Sequence, residues 1–529
     1  MKKALLALVI VLVTVLAVTT GCQRKAAAPS GPTQLTVEIF DRGMDGGRSM
    51  AYDNAWTDWI KAKVLADLNI EVTFIPVGRW SENTDIVNMM ASAGAPDLCY
   101  TYNTDMITNF RLQGGILDLT PYIEQYLPDM KRLLGADPAL QGQDLIYRDK
   151  DPATGRVYSV PSVVVNVAQR NLFIRKDWLD ILGLPLPTTT AQFHSALVAF
   201  RDNADRLPGS GGRSNIVPFG QDSDARWGFS PIINAFFDPN ISDRDFWIHY
   251  FSDRPIAMPG YKEALRMINE WYNEGLIYRD FPLMRVADDF FNMLKSGRVG
   301  AYGGNWDHPY RADNAIQTDL QRNVPGAQFV PIDCIQSSNG VTRKLISDKP
   351  GLRIFVPAFA KNPIGALQYL NWLSKPENYN FLQIGTPGVN HEIVNGVPSA
   401  IARPAGDPWI MNSSNNIDMT IPMNGIELGS AELNARVLAL GYANIAPEVI
   451  VNAYAISTRN GFAPVVYQAV TELGAVYGQT LNDKADAMIA QAVIARTADF
   501  DRTWDAGMRD YLQSGAQEVM DERSRLWPR

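Results

Sequence analysis

Three stretches decide the fold class: Leu35-Thr36-Val37-Glu38-Ile39-Phe40-Asp41-Arg42-Gly43, then Ile70-Glu71-Val72-Thr73-Phe74-Ile75, then Leu98-Cys99-Tyr100-Thr101-Tyr102. In the first, Leu35, Val37 and Ile39 alternate with Thr36 and Glu38, which predicts a strand with one covered face. Its end opens a Gly-rich loop through Gly47, and a helix is expected over Ala55 to Leu68. The second strand is expected to stop at Pro76. Ser81 stands where an N-cap belongs, before a helix that carries Ile86 and Met90 inward and ends at Gly94. The third stretch is again a strand. Strand–helix–strand alternation predicts a parallel α/β sheet, with a ligand crevice beyond the carboxyl ends of its strands.

Outward from this core the helical signals continue. Thr189 and Gln192 form a capping box ahead of Phe193, Leu197 and Phe200. Tyr261, Leu265, Ile268 and Trp271 share one helix face, closed by Gly275. Asn362-Pro363 starts a helix through Leu367, Leu370 and Leu373, and Ala485 to Trp527 reads as helical. There is no internal repeat.

At the other edge, Met1-Lys2-Lys3 precedes an apolar run from Ala4 to Val18 and then Thr19-Thr20-Gly21-Cys22, the pattern of an export signal. The run is shorter than the ~20 residues of a spanning helix. Cys22 after Gly21 resembles the bacterial lipobox, with Thr19 where Leu is usual, so residues 1–21 are expected to be removed and Cys22 to carry lipid. Residues 23–34 (QRKAAAPSGPTQ) are small and polar and read as a tether. The placement implied is extracytoplasmic, anchored to a bacterial membrane through Cys22, at the cell surface or in the periplasm.

The chain is far longer than one domain, so two lobes are expected. Its formal charge of −8 becomes −10 once Lys2 and Lys3 leave with the signal. An acidic chain without a Lys/Arg cluster argues against nucleic acid as a partner. Cys99 and Cys334 each sit in an apolar run, which favours two separately buried thiols over a bridge.

Catalytic signals are missing. The four His residues (His194, His249, His308, His391) show no metal-ligand spacing, and neither a Gly-x-Ser-x-Gly elbow nor a phosphate loop appears. What stands out is Ala301-Tyr-Gly-Gly-Asn305-Trp306-Asp307-His-Pro-Tyr310. A Trp between amide and carboxylate suits a sugar, whose apolar face stacks on an aromatic plane while its hydroxyls need polar partners. A core Trp followed by a polar turn fits these residues as well.

Several segments together resemble the extracellular solute-binding protein family 1, the sugar-binding lipoproteins of bacterial ABC importers. They are Met89-Met-Ala-Ser-Ala-Gly-Ala-Pro-Asp97, Gly115-Ile-Leu-Asp-Leu-Thr-Pro-Tyr122 and Phe173-Ile-Arg-Lys-Asp-Trp-Leu-Asp-Ile-Leu-Gly183 with Pro187-Thr188. Further along come Gly275-Leu-Ile, Lys295-Ser-Gly-Arg-Val-Gly-Ala301, Gly385-Thr-Pro-Gly-Val-Asn-His391 and Tyr511-Leu-Gln-Ser-Gly515 with Glu522. The resemblance implies an α/β, two-lobed periplasmic-binding-protein-like fold of type II, with a hinge between the lobes. It places residues 35–168 and 328–358 in the N-terminal lobe, and 169–327 and 359–529 in the C-terminal lobe.

By the same resemblance a carbohydrate, an oligosaccharide rather than a monosaccharide, is the ligand, and permease subunits with their ATPase are the partners of a monomer. Neither cofactor nor catalysis is implied. The implied ligand contacts are Asp41 and Arg42 after the first strand, Thr101, Tyr102 and Asn103 after the third, and Asn305, Trp306 and Asp307 in the second lobe, with Asp97 a turn-stabilising acid. Large members carry a calcium loop after the Trp-Leu helix. Here residues 201–218 have Ser214-Asn215 in place of its acidic pair, with Arg206 and Arg213 added, so no calcium is expected. The rival readings are a surface enzyme acting on polysaccharide and a sensing or adhesive lipoprotein without a permease.

Overall fold

The computed structural model describes residues 31–41, 52–135, 145–147, 150–151, 154–252, 254–284, 288–311, 314–336, 340–348, 350–401, 418–442, 445–464 and 471–527. The signal segment, Cys22 and Arg42 lie outside these residues.

The chain begins with strand β1 (Thr33–Asp41), helix α1 (Ala55–Leu68), β2 (Ile70–Gly78), α2 (Glu82–Ala91), β3 (Cys99–Thr101), α3 (Thr104–Leu112) and β4 (Val160–Val164). It then crosses to β5 (Arg170–Arg175), α4 (Lys176–Leu182), α5 (Thr190–Asp202), β6 (Val217–Gly220), α6 (Ala225–Gly228), α7 (Tyr261–Asn273), β7 (Val299–Asn305) and β8 (Phe329–Ile332). A return brings β9 (Pro350–Phe355), α8 (Pro363–Leu373) and β10 (Met423–Asn424). The C-terminal helices include α9 (Glu472–Ile494), α10 (Phe500–Tyr511) and α11 (Gln517–Leu526).

In the first lobe β1 pairs parallel with β2, and a parallel bridge Val37–Leu98 joins β1 to the stretch entering β3. β9 runs antiparallel between β3 and β4, and β10 pairs parallel with β4, giving the order β2-β1-β3-β9-β4-β10. The second lobe holds the sheet β6-β7-β5-β8. Leu35, Val37, Ile39, Val72, Leu98, Ile354, Leu367 and Leu370 share the first core, and Trp178, Phe193, Leu265, Ile268 and Trp271 the second.

This assignment corrects the expected lobe boundaries in two places. Phe329–Ile332 pairs with β5, so the return starts after residue 332 rather than at 328. Residues 359–401 and 418–424 belong to the first lobe, because α8 carries Ala366, Leu367 and Leu370 into its core and β10 extends its sheet. The fold also begins earlier than expected, since Thr33 and Gln34 already pair with Ile70 and Glu71.

Local signals fare unevenly. β2 runs through Pro76 to Gly78, with Pro76 opposite Ile39. An edge strand tolerates proline because its outward side needs no donor. Ser81 does not cap α2; its hydroxyl donates to Asp85 Oδ2 at 2.6 Å. Thr189 does cap α5 through Gln192 N, while Gln192 Oε1 accepts from Thr188 rather than closing the box on Thr189. Asn362 caps α8 as expected. Asp97 is the turn-stabilising acid expected: Oδ2 accepts from Thr36 N and Oγ1, and Oδ1 from Lys361 N and Asn362 N. It ties β1 to the start of α8.

Cys99 and Cys334 are both buried and free, in separate lobes. Among the described residues no helix is long and apolar enough to cross a membrane.

Candidate functional site in the crevice between the lobes

The strand directions fix where a crevice must lie. β1, β2 and β3 all point their carboxyl ends, at Asp41, Gly78 and Thr101, toward the edge where β4 leaves and β9 enters. In the second sheet β6 and β7 end at Gly220 and Asn305, on the side where antiparallel β5 begins at Arg170. The carboxyl ends of both sheets therefore abut the crossings, which is where ligands bind in open α/β sheets. Among the described residues, 165–169, 333–336 with 340–348, and 425–430 lie on these crossings.

Two of the crossings are laced together. Val165 N donates to Asn424 O at 2.9 Å, and Ser347 N to Val167 O at 2.8 Å. Gly425, at φ +104°, lies so close to Val165 that a Cβ would stand 2.9 Å from its Cβ.

On the first lobe the crevice edge is aromatic. Arg79, directly after β2, places its guanidinium 5.1 Å from the Phe40 ring centroid, 5.3 Å from Trp80 and 4.5 Å from Tyr102. Glu82 holds this arrangement: Oε2 accepts from Arg79 at 2.6 Å, and Oε1 from Thr101 Oγ1 and Tyr102 N. Trp80 is 71% exposed and Tyr102 42%, unusual for rings that are not waiting for something to cover them. Beneath them Glu38 is fully buried, accepting from Tyr100 N. Burial pushes its carboxyl well above the usual range, with the Glu82 charge adding to the effect.

On the second lobe, β6 leads through Gln221 and Asp222 into α6. The ring of Trp227 there has Arg170 3.8 Å and Arg226 4.5 Å from its centroid. Arg226 pairs with Asp224 at 2.9 Å. Burial, reinforced by the Asp224 charge, pushes the Asp222 carboxyl up to about 6. Asn305, partly exposed, is opposite Arg170 across the β5–β7 ladder. Helix α9 packs against both α6 and α3, and so bridges the two crevice walls.

The expected contacts divide against this geometry. Asp41, Tyr102 and Asn305 sit at the crevice edge with surface to offer. Asn103 caps α3 through Met106 N and donates to Asn83. Thr101 is fully buried, its hydroxyl bound to Glu82, so it has no group free for a ligand. Trp306 is a correction: it is 3% exposed and packs against Tyr442 and Tyr454. Trp306 N donates to Gln169 O, which turns the residue into the core. Asp307 likewise faces inward, paired with Arg311 at 2.8 Å and accepting from Tyr442 Oη. Burial alone would raise its pKa, but the Arg311 charge and hydrogen bonds outweigh that and hold it below the ordinary value.

Arg79, Trp80, Arg170, Asp222 and Trp227 were missed by the sequence reading. Arg79 and Trp80 follow the end of β2, Asp222 follows the end of β6 and Arg170 opens β5, so strand-end position is the signal that could have found these four. Trp227, seven residues past β6 in α6, carries no such signal. Among the described residues no group of three or more His, Cys, Asp or Glu converges as metal ligands. In the stretch 201–218 Asp205 is paired with Arg213 at 3.3 Å.

No family model matches the chain. Lipoprotein LipO of Bacillus subtilis is 23% identical over 352 residues, 63% of this chain and 64% of its own length. The fructooligosaccharide ABC transporter substrate-binding protein FusA of Streptococcus pneumoniae is 26% identical over 187 residues, 33% of this chain and 32% of its own. The chain thus spans just under two thirds of LipO and about a third of FusA. Among solved structures, the alginate-binding protein AlgQ2 superposes with a TM-score of 0.66 at 18% identity, over 94% of this chain and 99% of its own. FusA with kestose bound gives 0.64 at 14% identity, over 93% and 98%. The fold is that of the two-lobed substrate-binding proteins.

Proposed function

We propose that this chain, whose fold is that of the extracytoplasmic solute-binding proteins, captures a carbohydrate between its lobes and delivers it to a membrane permease. The observation that carries this reading is the aromatic edge of the first lobe. Trp80 and Tyr102 are exposed planes set around Arg79 at the carboxyl ends of the strands. Such planes take the apolar face of a pyranose, and Asp41, Asp222 and Asn305 supply partners for its hydroxyls. Contacts from both walls are what convert binding into closure, since a ligand touching one lobe shifts no equilibrium. An affinity on the order of 8 to 10 kcal/mol, micromolar or tighter, suits such a site.

The finer features follow from the same reading. The ligand is an oligosaccharide, in keeping with what FusA is named for binding. Lipid on Cys22 keeps the receptor beside its permease, and the mature N-terminus by mass spectrometry checks this, an unprocessed Met1 excluding it. The protein is a receptor rather than an enzyme. Calorimetry against an oligosaccharide panel, followed by chromatography of the incubated sugar, tests the whole: saturable binding with the sugar recovered intact is expected. Shortened products would establish the hydrolase or lyase reading instead.

A further inference from the structure

Three of the connections between the lobes are the crossings at the hinge. A fourth contact lies apart from them. Helix α3, which starts at the crevice edge directly after Tyr102 and Asn103, lies against the first turns of α9 from the other lobe. Asn109 Nδ2 donates to Ala475 O at 3.5 Å. Arg111 Nη2 stands 3.6 Å from Glu472 Oε1 while its Nη1 reaches Asp151 Oδ1 at 3.2 Å. A Cβ on Gly478 would stand 3.0 Å from Asp105 Oδ2. Residues 472, 475 and 478 share one helix face, and the small side chains of Ala475 and Gly478 let α3 approach.

Both sides of this contact are rigidly mounted. Arg111 is anchored in the first lobe by Asp151, whose side chain is only 2% exposed. In the second lobe the Glu522 carboxylate accepts from Glu472 N and Leu473 N, and Tyr477 Oη donates to Glu518. The contact itself is thin: Glu472 is 60% exposed, and Leu112 and Val476 beside it remain 49% and 64% exposed. Opening by rotation about the crossings would separate α3 from α9. Of the α9 side chains on this face only the small Ala475 is a buried apolar group among the described residues, so little apolar surface resists the separation.

We propose that the α3–α9 contact is a polar latch that sets how often the lobes are closed before any ligand arrives. It is strong enough to bias the equilibrium and weak enough to release. The functional meaning of closure rests on the receptor reading, but the latch is measured without ligand, so the two fail separately.

Spin labels at Ala66 and Glu270, exposed on helices of the two lobes, report the interlobe distance by electron–electron resonance on the full chain without sugar. The expected wild-type distribution contains a short-distance population. Glu472→Lys sets a like charge before Arg111, and Gly478→Leu fills the space that α3 occupies. Either variant is expected to move at least half of that population to longer distance. Melting temperature should fall by no more than a few degrees, since Leu is the better helix former and Glu472 is exposed, although a Lys at the first position of α9 opposes the helix dipole. Unchanged distributions in both variants, or a wild type without the short population, would overturn the latch. Should Gly478→Leu fail to fold, the exposed Glu472→Lys decides alone.

Discussion

Trp80 and Trp306 carry the same side chain into opposite situations. The first is 71% exposed at the crevice edge, the second 3% exposed against Tyr442 and Tyr454. Trp80→Ala is therefore expected to leave stability within about 0.5 kcal/mol and to weaken carbohydrate binding at least tenfold. Trp306→Ala opens a cavity and should cost about 3–5 kcal/mol of stability, read by denaturant unfolding. A tenfold affinity loss in Trp306→Ala with unchanged stability would restore Trp306 as the stacking ring. The sequence made Trp306 legible as special because it lies in a polar turn. Its burial was not legible, because it depends on Tyr442 and Tyr454, more than 130 positions away. Asp222 gives a pH signature. Its folded pKa of about 6 lies above the unfolded value near 3.9, so the folded state favours the protonated form. That contribution is intact below about pH 4 and is lost as pH rises through 6. Asp222→Asn should accordingly gain about 1–2 kcal/mol over wild type at pH 8 and nothing at pH 3.5, the partly exposed side chain keeping the value modest. Equal differences at both pH values would contradict this.

At the scale of elements, the C-terminal helices show how a motif acquires a reason. Gly515 lies in a π-turn between α10 and α11 at φ +115°, and a Cβ there would stand 2.4 Å from the Tyr477 ring. Gly515→Ala is expected to cost about 2–4 kcal/mol, from left-handed strain and overpacking together. It should also raise hydrogen exchange over residues 472–480, because Tyr477 and its bond to Glu518 are displaced; unchanged exchange there would show that α9 is held by other means. The strands and helices themselves were largely legible, and the i, i+4 spacing of α7 reports burial directly. The alternation in β1 marked a strand but not its burial, because the structure covers both faces, with Glu38 and Phe40 buried beside Leu35, Val37 and Ile39. Pro76 misled because edge position is a property of the sheet, and Ser81 because Asp85 competes for its hydroxyl.

For the whole molecule, two α/β lobes and a hinge followed from the order of segments, whereas their boundaries did not. That α8 returns to the first lobe is decided by the docking of Leu367 and Leu370 on β1's core face, a choice between two similar apolar surfaces that local sequence does not encode. The crevice location did follow, because strand direction dictates it. The claim that matters is that one ligand is held by both walls. Calorimetry of wild type, Trp80→Ala and Trp227→Ala against the tightest-binding oligosaccharide of the panel tests it most directly. A single site per chain is expected in the wild type, with at least a tenfold loss in each variant and both still folded. An affinity within twofold of wild type in either variant would mean that its lobe does not hold the ligand through these rings, and would contradict the account.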